Sequence, residues 1–320
     1  MECIRNWIMS LIDQTNVTDI CINGVSGVFV DRGSGMEQVS IPVDLSFTEQ
    51  NLKEWVLSEL VQVGKTWDAK HPFVDAILRT GHRIHIVFPP LAPLGLMVSI
   101  RRSHHHSHDS NLAQPSPTQA DRWSQSDLYP KLQELIKSGE SILISGATGS
   151  GKTTLASDLL AEVPQNERII ALEDTPELAP RHPHFISLLS RPPNADGFGE
   201  VTLKTLLKQT LRMRPDRIVL GECRGAEVLD LLQALNTGHR GALVTLHANS
   251  PRDALRRVEL LCLLSAHGVL NSSYIRELLS LGIQWITQVK REGCLRMITE
   301  LWKMEGREGD TILMRRMNRQ

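Results

Sequence analysis

The spacing of apolar and polar positions divides the chain into three stretches. From residue 1 to 102, MECIRNWIMSLID spaces its apolar residues as an amphipathic helix does, and CINGVSGVFVDRG holds short apolar runs broken by Gly and Asn, which predict strands joined by turns. LSFTEQNLKEWVLSELVQVG predicts another amphipathic helix, and AILRTGHRIHIVFPP and LGLMVSIRR predict two more strands. These elements describe a small α/β domain. From 103 to 126, SHHHSHDSNLAQPSPTQADRWSQS has little apolar periodicity and reads as an interdomain linker. From 127 to 320, strands and helices alternate: SILISG, TTLASDLLAEV, RIIALED, VTLKTLLKQTLRM, RIVLGE, AEVLDLLQALNTG and ALVTLHA. Continuous apolar strands separated by helices predict a mostly parallel sheet covered on both faces. Two more helices, ALRRVELLCLL and SSYIRELLSLG, and the strand-like QWITQVK, LRMITELW and TILMRRM complete this stretch.

Composition narrows the possibilities. The 320 residues fit two domains at about 150 residues each. Lys and Arg number 35 against 36 Asp and Glu, a formal net charge of −1, so no bulk attraction to nucleic acid or anionic lipid is built in. Two Tyr and six Phe offer few stacking platforms for single strands, which counts against a nucleic-acid motor. Cys3, Cys21, Cys223, Cys262 and Cys294 lack CxxC spacing, which argues against a zinc site or a disulfide framework and fits a reducing cytosol. No apolar run approaches the roughly 20 residues that span a bilayer, so a membrane role is expected through a partner.

The chemistry begins with GATGSGKTT, which satisfies G-x-x-x-x-G-K-[ST] between a predicted strand and a predicted helix. Gly146, Ala147, Thr148, Gly149, Ser150, Gly151, Lys152, Thr153 and Thr154 form the candidate phosphate loop. Its glycines let backbone N–H groups converge on phosphate oxygens, Lys152 adds a point charge, and the Thr153 hydroxyl is placed to ligate Mg²⁺. Hydrolysis also needs carboxylates for water and metal. RIVLGECRG puts Glu222 at a strand end, and RIIALEDTPEL puts Glu173, Asp174 and Glu177 past another. A carboxylate there can equally cap a helix, and spacing does not choose a general base among the four. His247 ends a further strand in ALVTLHANSP, where it could read a γ-phosphate or simply be a satisfied core histidine; His239 in TGHRG suits a helix C-terminus.

Four segments together resemble a known family. GATGSGKTTL, ALEDTPEL, LRMRPDRIVLGECRGAEVLDLLQALNTGHRGALVTLHANSPRDALRRVE and the pair TGHRIHIVFPP and SIRR are similar to the secretion or traffic ATPases of type II and type IV secretion and type IV pili. The wording of the third segment and SRPPNADGFGEVTLKTLLKQTLRMRPD resemble most the CpaF branch, which serves Tad (Flp-type) pili. The resemblance implies a RecA-like ATPase domain preceded by a small α/β, PAS-like domain. It implies a homo-hexameric ring using ATP and Mg²⁺, cytoplasmic and peripheral to an inner membrane, driving a pilus through a platform protein. An ATPase of type IV secretion or conjugation shares the same boxes and is the alternative; a scaffold that binds ATP without turnover would not need both Glu177 and Glu222.

By the same resemblance, Glu177 is the general base, Glu222 holds Mg²⁺ through water, and His247 reads the γ-phosphate. Arg83 and Arg101, with Arg102 beside them, reach the nucleotide from the small domain, and Arg224 and Arg240 match network positions. Three departures stand out. The branch usually carries an extension before the small domain, which here starts almost at Met1; SHHHSHD is foreign to it; and the strand ends in GE where relatives have DE, so slow hydrolysis is expected.

Overall fold

The computed structural model describes residues 2–14, 16–33, 35–67, 72–93, 95–103, 123, 126–194, 197–266, 269–293 and 295–317. The histidines at 104–106 and 108 and Cys294 lie outside them, as does nearly all of the stretch read as a linker. The chain forms two compact units, residues 1–112 and 113–320.

In the first unit, α1 (Glu2–Ile12) is followed by β1 (Asp19–Asn23), β2 (Val28–Asp31), β3 (Met36–Val39), α2 (Glu49–Gln62), β4 (Phe73–Ile77), β5 (Arg83–Val87) and β6 (Met97–Arg101). The strands form one antiparallel sheet in the order β3-β2-β1-β6-β5-β4. Burial alternates along β1, β5 and β6, as expected of a sheet with one face packed and one wet. The packed face carries Ile20, Ile22, Ile84, Ile86, Val98 and Ile100 against Ile4 and Ile8 of α1 and Leu52, Trp55 and Val56 of α2. Thr48 caps α2, its hydroxyl accepting from Asn51 N.

In the second unit the order is α3 (Tyr129–Lys137), β7 (Ile142–Gly146), α4 (Lys152–Leu160), β8 (Ile169–Glu173), β9 (Phe185–Leu189), α5 (Leu203–Thr210), β10 (Arg217–Leu220), α6 (Glu227–Asn236), β11 (Leu243–His247), α7 (Pro251–Ser265), α8 (Ser272–Gly282), β12 (Trp285–Glu292), β13 (Leu295–Glu308) and β14 (Thr311–Arg316). The sheet runs β14-β13-β12-β7-β11-β10-β8-β9. From β12 to β9 every pairing is parallel, and β13 and β14 add antiparallel strands at one edge. Every residue of β7 and β8 is buried, because helices cover both faces. Alternate residues serve two cores: Leu143 packs with α5 to α8, whereas Ile142 and Ile144 pack with α3 and α4. Trp123, within the stretch read as linker by composition, is buried in this unit, where its indole N–H donates to Asp158 Oδ2 at 2.8 Å and its ring stacks on Tyr129.

The RecA-like and small α/β architectures expected from the sequence are both present. β9 has no counterpart in the sequence reading. It is an edge strand buried only in part, so FISLL carries neither the continuous burial of a central strand nor a clean alternation.

Candidate active site

The parallel order brings the C-terminal ends of β7, β11, β10 and β8 to one edge of the sheet, where such folds place ligands. His247 at the end of β11 lies in register with Gly146 at the end of β7. Beyond β7 the chain turns through Gly149 (φ +69°) and Gly151 (φ +100°), a handedness glycine tolerates and side-chain-bearing residues rarely adopt, and enters α4 at Lys152. Gly146 is required for space: a Cβ there would fall 2.5 Å from Val289 O and 2.6 Å from Ser150 Oγ. Lys152 is buried, its ammonium donating to Gly146 O (3.1 Å) and Ala147 O (2.8 Å).

The acids sort into different jobs. Glu173 is 2% exposed and closes its own bonds: Oε1 accepts from Glu177 N and Leu178 N at 2.8 Å each, and Oε2 accepts from Ser187 Oγ at 2.6 Å. A carboxylate so engaged shapes the segment that carries Glu177. Asp174 accepts from Ser190 Oγ at 2.6 Å. Glu177 is instead turned to the phosphate loop, with Oε2 accepting from Thr153 Oγ1 at 3.1 Å. Neither of the first two caps a helix, the alternative left open by the sequence: Glu173 braces a loop and β9, Asp174 holds the residue after β9, and Glu177 faces the phosphate loop.

Gly221 explains why the strand ends in GE. Its Cβ would lie 2.8 Å from Glu173 Cγ, so the space an aspartate would need here is filled by the buried glutamate of the neighbouring strand. Glu222 follows, 2.9 Å from His247 Nε2 through Oε1 and hydrogen-bonded to the Arg224 guanidinium through Oε2. Glu227, at the start of α6, orients this turn by accepting from Arg224 N and Gly225 N at 2.8 Å each.

Electrostatics tie these groups together. The His247 pKa is lowered from its ordinary value by desolvation first and then by the Lys152 charge, against the opposing pull of Glu222. Its neutral form, with Nε2–H donating to Glu222, is therefore favoured. Arg224 is held more firmly protonated by its bond to Glu222, with Asp174 and Glu177 contributing from farther off. Thr153, Glu177 and Glu222 are thereby gathered around one loop. Among the described residues no cluster of three His, Cys, Asp or Glu could hold a metal by itself. A Mg²⁺–nucleotide needs only one or two protein oxygens, so the donor set fits that group.

Sequence profiles and relatives now bear on the identity. The profile of the type II/IV secretion system protein family matches residues 5–301. The chain belongs to that family. Among relatives of this secretion family, a protein named for conjugal transfer in Mycobacterium tuberculosis is 37% identical over 309 residues, covering 93% of this chain and 84% of the relative. The type IV secretion system protein VirB11 of Brucella suis biovar 1 is 32% identical over 327 residues, covering 94% and 88%. Two solved structures share the fold: the pilus retraction motor PilT with bound ADP (TM-score 0.63, 21% identity, 92% of this chain and 80% of that one) and the Legionella pneumophila ATPase DotB (TM-score 0.62, 18%, 92% and 79%).

The remaining residues singled out by the sequence of this secretion-family chain are placed as follows. Arg83 of β5 and Arg101 of β6 are directly opposite in the ladder, with Asp19 opposite Arg101 on its other side and 3.9 Å from its guanidinium. The Arg102 side chain is bonded to Gln14 O at 2.7 Å. His239 follows α6, its ring Nδ1 3.3 Å from Ala234 O, the C-terminal role its spacing suggested.

Two residues that no motif marked also flank the loop. A Cβ on Gly151 would fall 2.7 Å from Arg296 Cδ, and one on Gly149 would fall 3.9 Å from Arg291 Nη1. They lie in KREGCLR, which has no local signature; only the pairing of β12 with β7 brings them here.

Proposed function

We propose that the protein is a Mg²⁺-dependent ATP hydrolase that powers a type IV secretion or conjugal transfer system. The observation carrying the enzymatic part is the convergence on one phosphate loop of Lys152, Thr153, Glu177 and the Glu222–His247 pair. The transport part follows the two relatives of 37% and 32% identity, whose names speak of conjugal transfer and type IV secretion. This shifts the assignment from the Tad pilus to the alternative. The pilus remains a second reading, supported by the RPPNADGFGEV wording.

In the proposed mechanism, N–H groups of residues 147–154 and the Lys152 ammonium bind the β- and γ-phosphates. Thr153 Oγ1 and, through water, Glu222 would hold the metal. Mg²⁺, when bound, would neutralise phosphate charge. Glu177 orients a water, takes its proton as the water oxygen bonds to the γ-phosphorus, and the bond to the bridging oxygen breaks to release ADP. His247, kept neutral, donates a hydrogen bond that tells a γ-phosphate from its absence. Arg83 and Arg101 act as the small domain's cations toward the nucleotide. Arg102 contributes less, being committed to Gln14 O.

The working form is a homo-hexamer, cytoplasmic and peripheral to the inner membrane through a platform protein, with an N-terminal domain over 1–102 and an ATPase domain over 127–320. No helix among the described residues is long and apolar enough to cross a membrane. The test is phosphate release by the full chain with Mg²⁺ or with EDTA, together with mass by light scattering. Mg²⁺-dependent turnover from a ring is expected; ATP bound without turnover under both conditions would overturn the reading. Deleting the gene in its host should stop substrate transfer, and loss of pili with transfer intact would favour the second reading.

A further inference from the structure

The large sheet has a second edge, away from the phosphate loop, where the N-terminal ends of β11, β10, β8 and β9 lie side by side. Arg240 precedes β11, Arg212 and Arg214 precede β10, Arg168 precedes β8, and Arg181 precedes β9. Arg217 is the first residue of β10. At ordinary strand spacing these four strand starts span about 15 Å.

Bonds tie the entering segments into one rim. Arg168 N donates to Asp216 Oδ2 at 2.8 Å, Ile169 N donates to His184 O at 3.0 Å, and Arg217 Nε donates to Glu167. Arg217 is buried, and its guanidinium lies so close to Gly241 that a Cβ there would fall 1.9 Å from Nη1. Glu167 and Asp216, the acids of these segments, are thereby engaged in holding the rim together.

Cationic donors remain in excess. Arg168 Nε and Arg217 Nη1 are buried with no hydrogen-bond acceptor, a costly state for a charged group. Arg181, Arg212, Arg214 and Arg240 are exposed, and their guanidiniums make no ion pair or hydrogen bond among the described residues. Arg214 is also, among the described residues, the one side-chain-bearing position with a left-handed backbone, at φ +53°. Glycine or asparagine would make that turn with less strain, and strain of this kind is kept where the side chain has a use. The whole chain carries a formal net charge of −1, so the excess is local to this rim.

The chemistry of the partner follows from what the rim presents. Guanidiniums match carboxylates in planar, two-bond pairs. Leu211, 37% exposed, and the half-buried Met213 alternate with Arg212 and Arg214, so the complementary surface is apolar as well as anionic. A nucleic-acid backbone or a lipid headgroup layer supplies anions without apolar side chains between them.

We propose that this rim is a docking surface for an acidic segment of a partner protein, one in which carboxylates are interleaved with apolar side chains. It lies at the opposite edge of the sheet from Lys152 and Glu222, so the proposal stands apart from the ATPase reading.

The test measures, by fluorescence anisotropy, binding of the full chain to a labelled peptide of repeated Glu-Glu-Leu. A Lys-Lys-Leu peptide, vesicles containing phosphatidylglycerol, and oligo-dT serve as the other probes. The variants are Arg181→Gln, Arg212→Gln, Arg214→Asn, which keeps a residue that tolerates the left-handed turn, and all three together. Each single variant should weaken the acidic peptide about two- to fivefold, the range of one exposed ion pair, and the triple variant by about the product of the three. Added salt should weaken the wild type more than the triple variant. Nucleotide affinity and mass in solution should stay as in wild type. Equal peptide binding by wild type and the triple variant, or none by the wild type, would overturn the proposal. So would tighter binding to vesicles or oligo-dT than to the acidic peptide, or a fall in mass of the triple variant, which would make the rim a contact between copies of this chain. If the triple variant fails to fold, Arg181→Gln and Arg212→Gln are read by the same criteria.

Discussion

The two flanks of the phosphate loop differ in kind. On one, β11, β10 and β8 deliver carboxylates and a histidine whose positions are fixed by bonds to one another and to the backbone. On the other, an antiparallel hairpin makes Arg291 and Arg296 cross-strand partners and lays the stem of Arg296 against Gly151. The first flank is built to act on a bond, where protonation state and angle matter; the second supports the backbone of the phosphate loop from its other side. Substitutions on the acid side should therefore appear in kcat and those on the basic side in Kd, and mixing of the two signatures would break the comparison.

The largest effect short of the base itself is expected at Glu222. Glu222→Gln removes the metal-directed charge and the anchor of Arg224, and kcat should fall about 100-fold, with more Mg²⁺ needed for half-maximal rate. Glu173→Leu sharpens the comparison, because this acid braces the segment that carries Glu177. The Glu177 and Leu178 N–H donors would lose their acceptor, so kcat should drop about tenfold and stability by about 1–3 kcal/mol, as for unpaired buried groups, with ADP affinity unchanged. Loss of ADP binding there would show that the acid flank also sets affinity. Gly221→Ala, which overpacks against Glu173, should cost about 1–3 kcal/mol in urea unfolding with a smaller loss of rate.

The smallest effect concerns pH. The folded pKa of His247 is lowered, so the unfolded chain takes up a proton near the ordinary value of 6.5 that the folded chain refuses. The contribution to stability is thus lost as pH falls through 6.5 toward the lowered folded value. An NMR titration of His247 should give a midpoint below 6.5 in wild type and a still lower one in Glu222→Gln, where the opposing negative charge is gone.

The same contrast governs how much could be read from the chain. The acid flank was legible because its groups lie at or just past the ends of buried strands: LVTLH and RIVLGE announce the sheet edge, and a glycine-rich loop announces the phosphate. Which acid faces the loop was not legible from spacing, since Glu173, Asp174 and Glu177 follow a single strand. Resemblance selected Glu177, and the Glu173 hydrogen bonds give that choice a physical basis. GE read as a departure from DE; packing of Gly221 on the neighbouring strand's glutamate accounts for it. The basic flank was invisible, because Arg291 and Arg296 meet the loop only through a pairing between strands about 140 residues apart in sequence. In the first unit, apolar runs gave β1, β2, β5 and β6, while the exposed MEQV of β3 and most of β4 went unread, and nothing local marked Arg83 and Arg101 as ladder partners. β9 went unread because an edge strand is buried too little to leave a pattern.

The most direct test of the account is single-turnover hydrolysis of ATP by the wild type and by Glu177→Gln, with ATP affinity measured on the same samples. Removal of a general base should slow the bound-state reaction by about 10²–10⁴-fold while Kd moves less than about threefold. Hydrolysis of bound ATP at the wild-type rate by Glu177→Gln would contradict the assignment of that residue and the division of labour drawn from it.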